Sequence, residues 1–261
     1  MISLTSTQIN AWVAAFFFPL TRVLGVLAAA PPFNNPALSV RVRLALGLAV
    51  TLGIAPILPP TPSVDPGSGA GLLLLAEQLL IGLAMGLAMR LVFTAVDMAG
   101  NLISLQMGLG FATTYDPQSA GQTVVVSEFM GLIALLAFLA IDGHLMVLAT
   151  LVHSFTVLPV GGTALAADTW KAVADSAAII FSSGLLLALP IVVALLITNL
   201  ALAILSRAAP QLNLIVIGFP LTIAVGFAAL LLGLAHLGVP LHRLFEKGLE
   251  AMLGPFANPG G

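Results

Sequence analysis

Apolar residues in this chain gather into long runs, at 11–30, 44–58, 72–96, 124–141, 144–159, 177–205 and 212–238, with polar or proline-rich stretches between them. The runs are rich in Leu and Ala and lack the period-two alternation of a half-exposed strand, so each predicts a helix. A hydrocarbon core of about 30 Å takes roughly 20 helical residues to cross, and a backbone in lipid must satisfy its own hydrogen bonds. Most of these runs fit that description. The connectors carry turn and boundary signals: Pro31-Pro32-Phe33-Asn34-Asn35-Pro36, Pro59-Pro60-Thr61-Pro62, Asp65-Pro66-Gly67, Asp142-Gly143, Gly161-Gly162 and Ala209-Pro210.

Three stretches depart from the pattern. Residues 44–58 are short for a span, and 212–238 is interrupted by Gly218 and Pro220, where the proline ring removes a backbone donor. Both predict bent or re-entrant helices. In 97–123, Leu102, Leu105, Met107 and Leu109 are interleaved with Asn101, Gln106 and several glycines, ahead of Tyr115-Asp116-Pro117. That mixture suits a segment beside protein or water rather than lipid.

Composition sharpens this into a fold class. Of 261 residues, 60% are hydrophobic and 7% charged, against roughly 25% charged in a soluble domain. Mean hydropathy is +1.15. The expectation is an all-α, polytopic helical membrane protein, with one domain over residues 1–261 and no linker rich in Ser or charge. The net charge of −2 comes from few ionisable groups and argues against a nucleic-acid surface. Cysteine is absent, which excludes disulfides, thiol nucleophiles and thiolate metal sites. The first basic residue, Arg22, lies inside the first apolar run, so that run reads as a membrane helix and not as a cleavable signal. Lys and Arg placement predicts the N-terminus outside and the C-terminus inside. The connector 59–71 has no basic residue, and Arg41, Arg43, Arg90, Lys171, Arg243 and Lys247 then fall at or near the inner side, with Arg207 the exception.

No catalytic spacing is present. Gly-x-Ser-x-Gly, His-Glu-x-x-His and the phosphate-binding Walker pattern do not occur, and His144, His153, His236 and His242 form no ligand cluster by spacing. No cofactor or metal is expected. The glycines of 82–110 sit in apolar helix context and read as helix-packing positions. The informative residues are ionisable groups inside apolar runs: Arg22, Glu77, Arg90, Asp97, Glu128 and Arg207. Each costs about 2.5 to 3.5 kcal/mol at membrane depth on insertion scales. Three readings are open for them: salt bridges within the chain, an ion or proton relay, or pairing with neighbouring subunits.

Several stretches resemble those of the FliR family of flagellar and type III secretion export-apparatus proteins, over nearly the whole chain. They are Pro31-Pro32-Phe33 leading into Ser39-Val40-Arg41-Val42-Arg43, Gln106-Met107-Gly108-Leu109-Gly110-Phe111-Ala112-Thr113 with Asp116-Pro117, Asp142-Gly143-His144 and Leu158-Pro159-Val160-Gly161. The most specific is Ser206-Arg207-Ala208-Ala209-Pro210-Gln211-Leu212-Asn213, running on to Ile217-Gly218-Phe219-Pro220. The resemblance implies a non-enzymatic subunit of an export gate, its helical hairpins packed with FliP-like and FliQ-like chains in a hetero-oligomeric assembly that an FlhB-like protein joins. Unfolded flagellar proteins would pass through its centre, at the bacterial inner membrane in the flagellar basal body. It further implies a pore plug at about 106–122, with Gly108, Gly110, Phe111, Tyr115, Asp116 and Pro117 as its residues. Thr114-Tyr115 stands where the family pattern leads one to expect an aliphatic or aromatic pair. The resemblance also shifts weight toward intersubunit pairing for Arg207, Glu77, Arg90, Asp97 and Glu128. The alternative from the charges alone is a self-contained secondary transporter or channel.

Overall fold

The computed structural model describes residues 6–109, 125–162, 167–209 and 214–257. Among these residues the regular structure is helical and no strand occurs. In order come α1 (Ser6–Ala29), α2 (Val40–Ile54) with a 3-10 turn at Ala55–Ile57, α3 (Gly69–Gln106), α4 (Val125–Ala140), α5 (Gly143–Val157), α6 (Ala167–Asp175), α7 (Ala178–Ala208), α8 (Leu214–Leu234) and α9 (Gly238–Ala257).

The local sequence sets these boundaries. Ser39 caps α2 by accepting from Val42 N at 3.4 Å, and Pro56, which has no backbone donor, lies in the 3-10 turn that ends it. The short apolar run at 44–58 thus extends back to Val40, giving 18 continuous residues to Ile57. α3 is 38 residues long, roughly 57 Å at 1.5 Å per residue. It carries 97–106 as helix: Ala99, Ile103 and Met107 are buried at four-residue spacing while Asn101 and Leu105 are exposed. α4 and α5, of 16 and 15 residues, are each short of a span. Pro220 lies inside α8, which continues through it to Leu234.

Among the described residues four helical stretches are long and apolar enough to cross a membrane, namely Asn10–Ala29, Val40–Ile57, Gly69–Gln106 and Thr169–Ala208; counting each of two bent helix pairs as one span gives up to six. α6 and α9 match none of the seven apolar runs. Both are amphipathic: α9 buries Leu241, Leu244, Phe245 and Met252 and exposes His242, Arg243, Glu246, Lys247 and Glu250.

The chain divides into two compact units. The first holds Met1–Leu91, Asp142–Ala177 and Phe245–Gly261; the second holds Val92–Ile141 and Ala178–Leu244. In the first, α1 and α3 approach to backbone contact. A Cβ on Gly25 would stand 2.9 Å from Leu79 O, and one on Gly82 would fall onto Arg22 O. Phe18, Val26 and Leu27 of α1, Ile81 and Met85 of α3, and Leu151 and Phe155 of α5 are all essentially inaccessible. α2 packs on α1 through Gly47, beside Leu24 and Leu27, and leaves Val40, Leu44, Leu48 and Leu52 bare.

In the second unit Gly100 of α3 lies against the Ser127 backbone, and Ser127 Oγ donates to Asp97 O at 2.9 Å. Phe93 meets Phe138 edge to face with ring centroids 5.5 Å apart. α7 and α8 pack as a hairpin. The outer surface of α7, including Phe181, Leu185, Leu189, Leu196, Leu200 and Ile204, is apolar and exposed. In water so large an apolar face would be unfavourable; it suits lipid or other helices.

Candidate functional site

Two places in the fold combine polar chemistry with tight packing. The first surrounds Arg22. Its guanidinium is inaccessible to solvent although it sits in an apolar helix. Nε donates to Gln78 Oε1 at 2.8 Å, Nη2 donates to the same oxygen and to Leu158 O at 2.8 Å, and Nη1 donates to Ser154 O at 3.0 Å and Ser154 Oγ at 3.1 Å. The Phe155 ring lies 4.2 Å from the guanidinium carbon, a cation–π distance. Every donor on the fork is satisfied, and every acceptor is neutral.

The other ionisable residues inside the apolar runs sit differently. Glu77 is half-buried, while Arg90, Asp97, Glu128 and Arg207 are exposed on the surface of the chain. Arg207 occupies the last turn of α7, where a cation complements the helix dipole. Of the six, Arg22 is thus the enclosed one. Gln78 and Ser154, which hold it, were not singled out by the sequence. Both are neutral polar residues in apolar runs, and they lie 56 and 132 residues from Arg22.

The second place is the end of α3. Gly108 has φ +81, Gly108 N donates to Leu105 O, and Leu109 N donates to Ser104 O, the paired bonds of a Schellman stop. A side chain at 108 would be strained in that conformation and would also meet the Phe219 ring at 2.9 Å. Thr222 Oγ1 donates to Met107 O at 3.3 Å, and buried Met107 faces Gly226 of α8. The exit from α3 is thereby fixed to α8. Of the predicted plug residues, Gly108 belongs to this exit; Gly110, Phe111, Tyr115, Asp116 and Pro117 lie outside the described residues.

Two other motif stretches, at Asp142 and at Pro159–Gly162, form tight joints. Asp142 takes φ 57, a left-handed conformation that Asp tolerates better than most residues, and its carbonyl accepts from Leu145 N and Met146 N. Gly161 has φ 84, and Gly162 N donates to Pro159 O. Among the described residues no group of His, Asp or Glu is arranged to hold a metal ion. An apolar groove of about 390 Å³ between α4 and α8, lined by Val125, Val126, Phe129, Phe227, Leu230, Leu231 and Leu234, contains no reactive group.

Long apolar helices, bare apolar faces and a polar interior confined to a few side chains define a polytopic α-helical membrane protein. Residues 13–248 match the family described as bacterial export proteins, family 1. The flagellar biosynthetic protein FliR of Pectobacterium carotovorum is 44% identical over 97% of this chain and 96% of its own length. FliR of Escherichia coli K12 is 43% identical over 87% of each chain, and that of Bacillus subtilis 31% identical over 91% of this chain and 93% of its own. The chain belongs to this export family, the one containing the flagellar biosynthetic protein FliR.

Proposed function

We propose that this chain is a structural and gating subunit of the flagellar type III export gate in the bacterial inner membrane, at the flagellar basal body. It forms, with FliP-like and FliQ-like subunits and an associated FlhB-like protein, the channel through which unfolded flagellar proteins leave the cytoplasm. The observation that carries this reading is the near full-length identity of 44% to a flagellar biosynthetic protein. The apolar faces on α2 and α7, broader than the interior of this chain requires, support helix partners as well as lipid. On this reading the half-buried Glu77 and the exposed Arg90, Asp97, Glu128 and Arg207 meet charges on neighbouring subunits.

The chain contributes no bond-making step. Its part is to hold a pore and to close it, with residues of the 106–122 segment filling the passage at rest. The fixed exit at Met107 and Gly108 supports that role, because a plug needs a rooted end to return to one position. Removing the chain from its host should stop release of flagellar subunits into the medium while their intracellular levels persist. Undiminished release would overturn the reading.

A further inference from the structure

We infer that Arg22 is a latch that ties α1 and α3 to the C-terminal end of α5, with backbone and side-chain dipoles in place of a hydrogen-bonded counter-ion. The last four carbonyls of a helix have no partner within it, and they carry the negative end of the helix dipole. Leu158 O, at the cap of α5, is such a carbonyl and accepts from the Arg22 guanidinium; Ser154 O, in the closing turn, already accepts from Leu158 N at 2.8 Å and takes the guanidinium as a second donor. Gln78 Oε1 holds the other side of the fork from α3, and Phe155, one residue after Ser154, covers its face. Three helices distant in sequence therefore meet at one planar cation.

Three features separate this from an ordinary buried ion pair. All acceptors are neutral, so the guanidinium is held by dipoles, the end of α5 among them. Glu77, the carboxylate whose field reaches Arg22, neighbours Gln78 along α3 but accepts none of the guanidinium hydrogen bonds. The planar five-donor fork is also what the geometry requires, because a Lys ammonium with three donors cannot serve the same set. In synthesis order α1 and α3 precede α5, so the cation gains its full set of acceptors only when α5 is seated.

The test is amide hydrogen exchange of residues 150–158 of this chain in the complex purified from its own host, in lipid nanodiscs. Arg22→Met should speed exchange in that segment by roughly tenfold or more, with α7 unchanged, as expected for local opening of one helix end. Glu77→Gln should leave it at the wild-type rate. If Arg22→Met does not accumulate, Gln78→Leu, which removes the α3 anchor and keeps the cation, should give the same local acceleration. Wild-type exchange in the Arg22→Met protein, or in Gln78→Leu where that is the one measured, would overturn the latch. Acceleration by Glu77→Gln equal to that of Arg22→Met would also overturn it, by identifying the carboxylate as the true counterpart.

Discussion

The thioether of Met107 occupies the notch that Gly226 leaves on α8: a Cβ at 226 would stand 2.5 Å from Met107 Cγ and 2.7 Å from Sδ. This contact, with the Thr222 hydroxyl on Met107 O, fixes where α3 stops. Gly226→Val should therefore destabilise the second unit by about 1 to 3 kcal/mol, the usual cost of overpacking a filled core. Gly233 on the same helix meets only Ile191 Cδ1 at 3.7 Å, an ordinary contact. Gly233→Ala should be neutral or slightly stabilising through helix propensity. Thermal unfolding of the two variants in detergent checks the contrast; equal behaviour would mean that the notch is not filled.

The α1–α3 seam makes a similar prediction in the first unit. A methyl group on Gly82 has only backbone to displace, since it falls onto Arg22 O and close to Gly25 Cα. Gly82→Ala should cost about 1 to 3 kcal/mol, more than its gain in helix propensity returns. The same thermal measurement decides it, and a stability equal to wild type would show that α1 moves aside freely.

Arg207 stands exposed at the end of α7. As an intersubunit charge it should matter for assembly more than for folding of this chain. Arg207→Ala should lower the yield of purified complex by roughly fivefold, the effect of about 1 kcal/mol, with the variant chain still present in membranes. Normal assembly with lost motility would instead place Arg207 in transport.

If 106–122 plugs the resting pore, deleting residues 110–119 should make cells overproducing the assembly leaky to small solutes. Apolar side chains can seal such a passage by excluding water. The check is uptake of a small impermeant dye beside a complex of unchanged composition. Wild-type uptake with the complex intact would exclude these residues from the seal.

The helices were legible in the sequence where lipid-length apolar runs coincide with them, as in α1 and α7. α6 and α9 escaped because their apolar residues recur on one face and never form a run. The end of α3 was obscured for a related reason. Asn101 and Gln106 interrupt the hydropathy, yet Ala99, Ile103 and Met107 keep the four-residue spacing of a buried stripe. Arg22 was visible as a charge out of place, but its acceptors were not. Gln78 and Ser154 are neutral, and two of the five hydrogen bonds go to backbone carbonyls, which every residue possesses.

The central claim is that this chain works as one subunit of a larger membrane assembly. Purification of the tagged chain from its own host in mild detergent tests it most directly. The account predicts that two other small membrane proteins, FliP-like and FliQ-like in sequence, copurify with it in a single complex. A stable, monodisperse chain free of both would contradict the account and favour a transporter that acts alone.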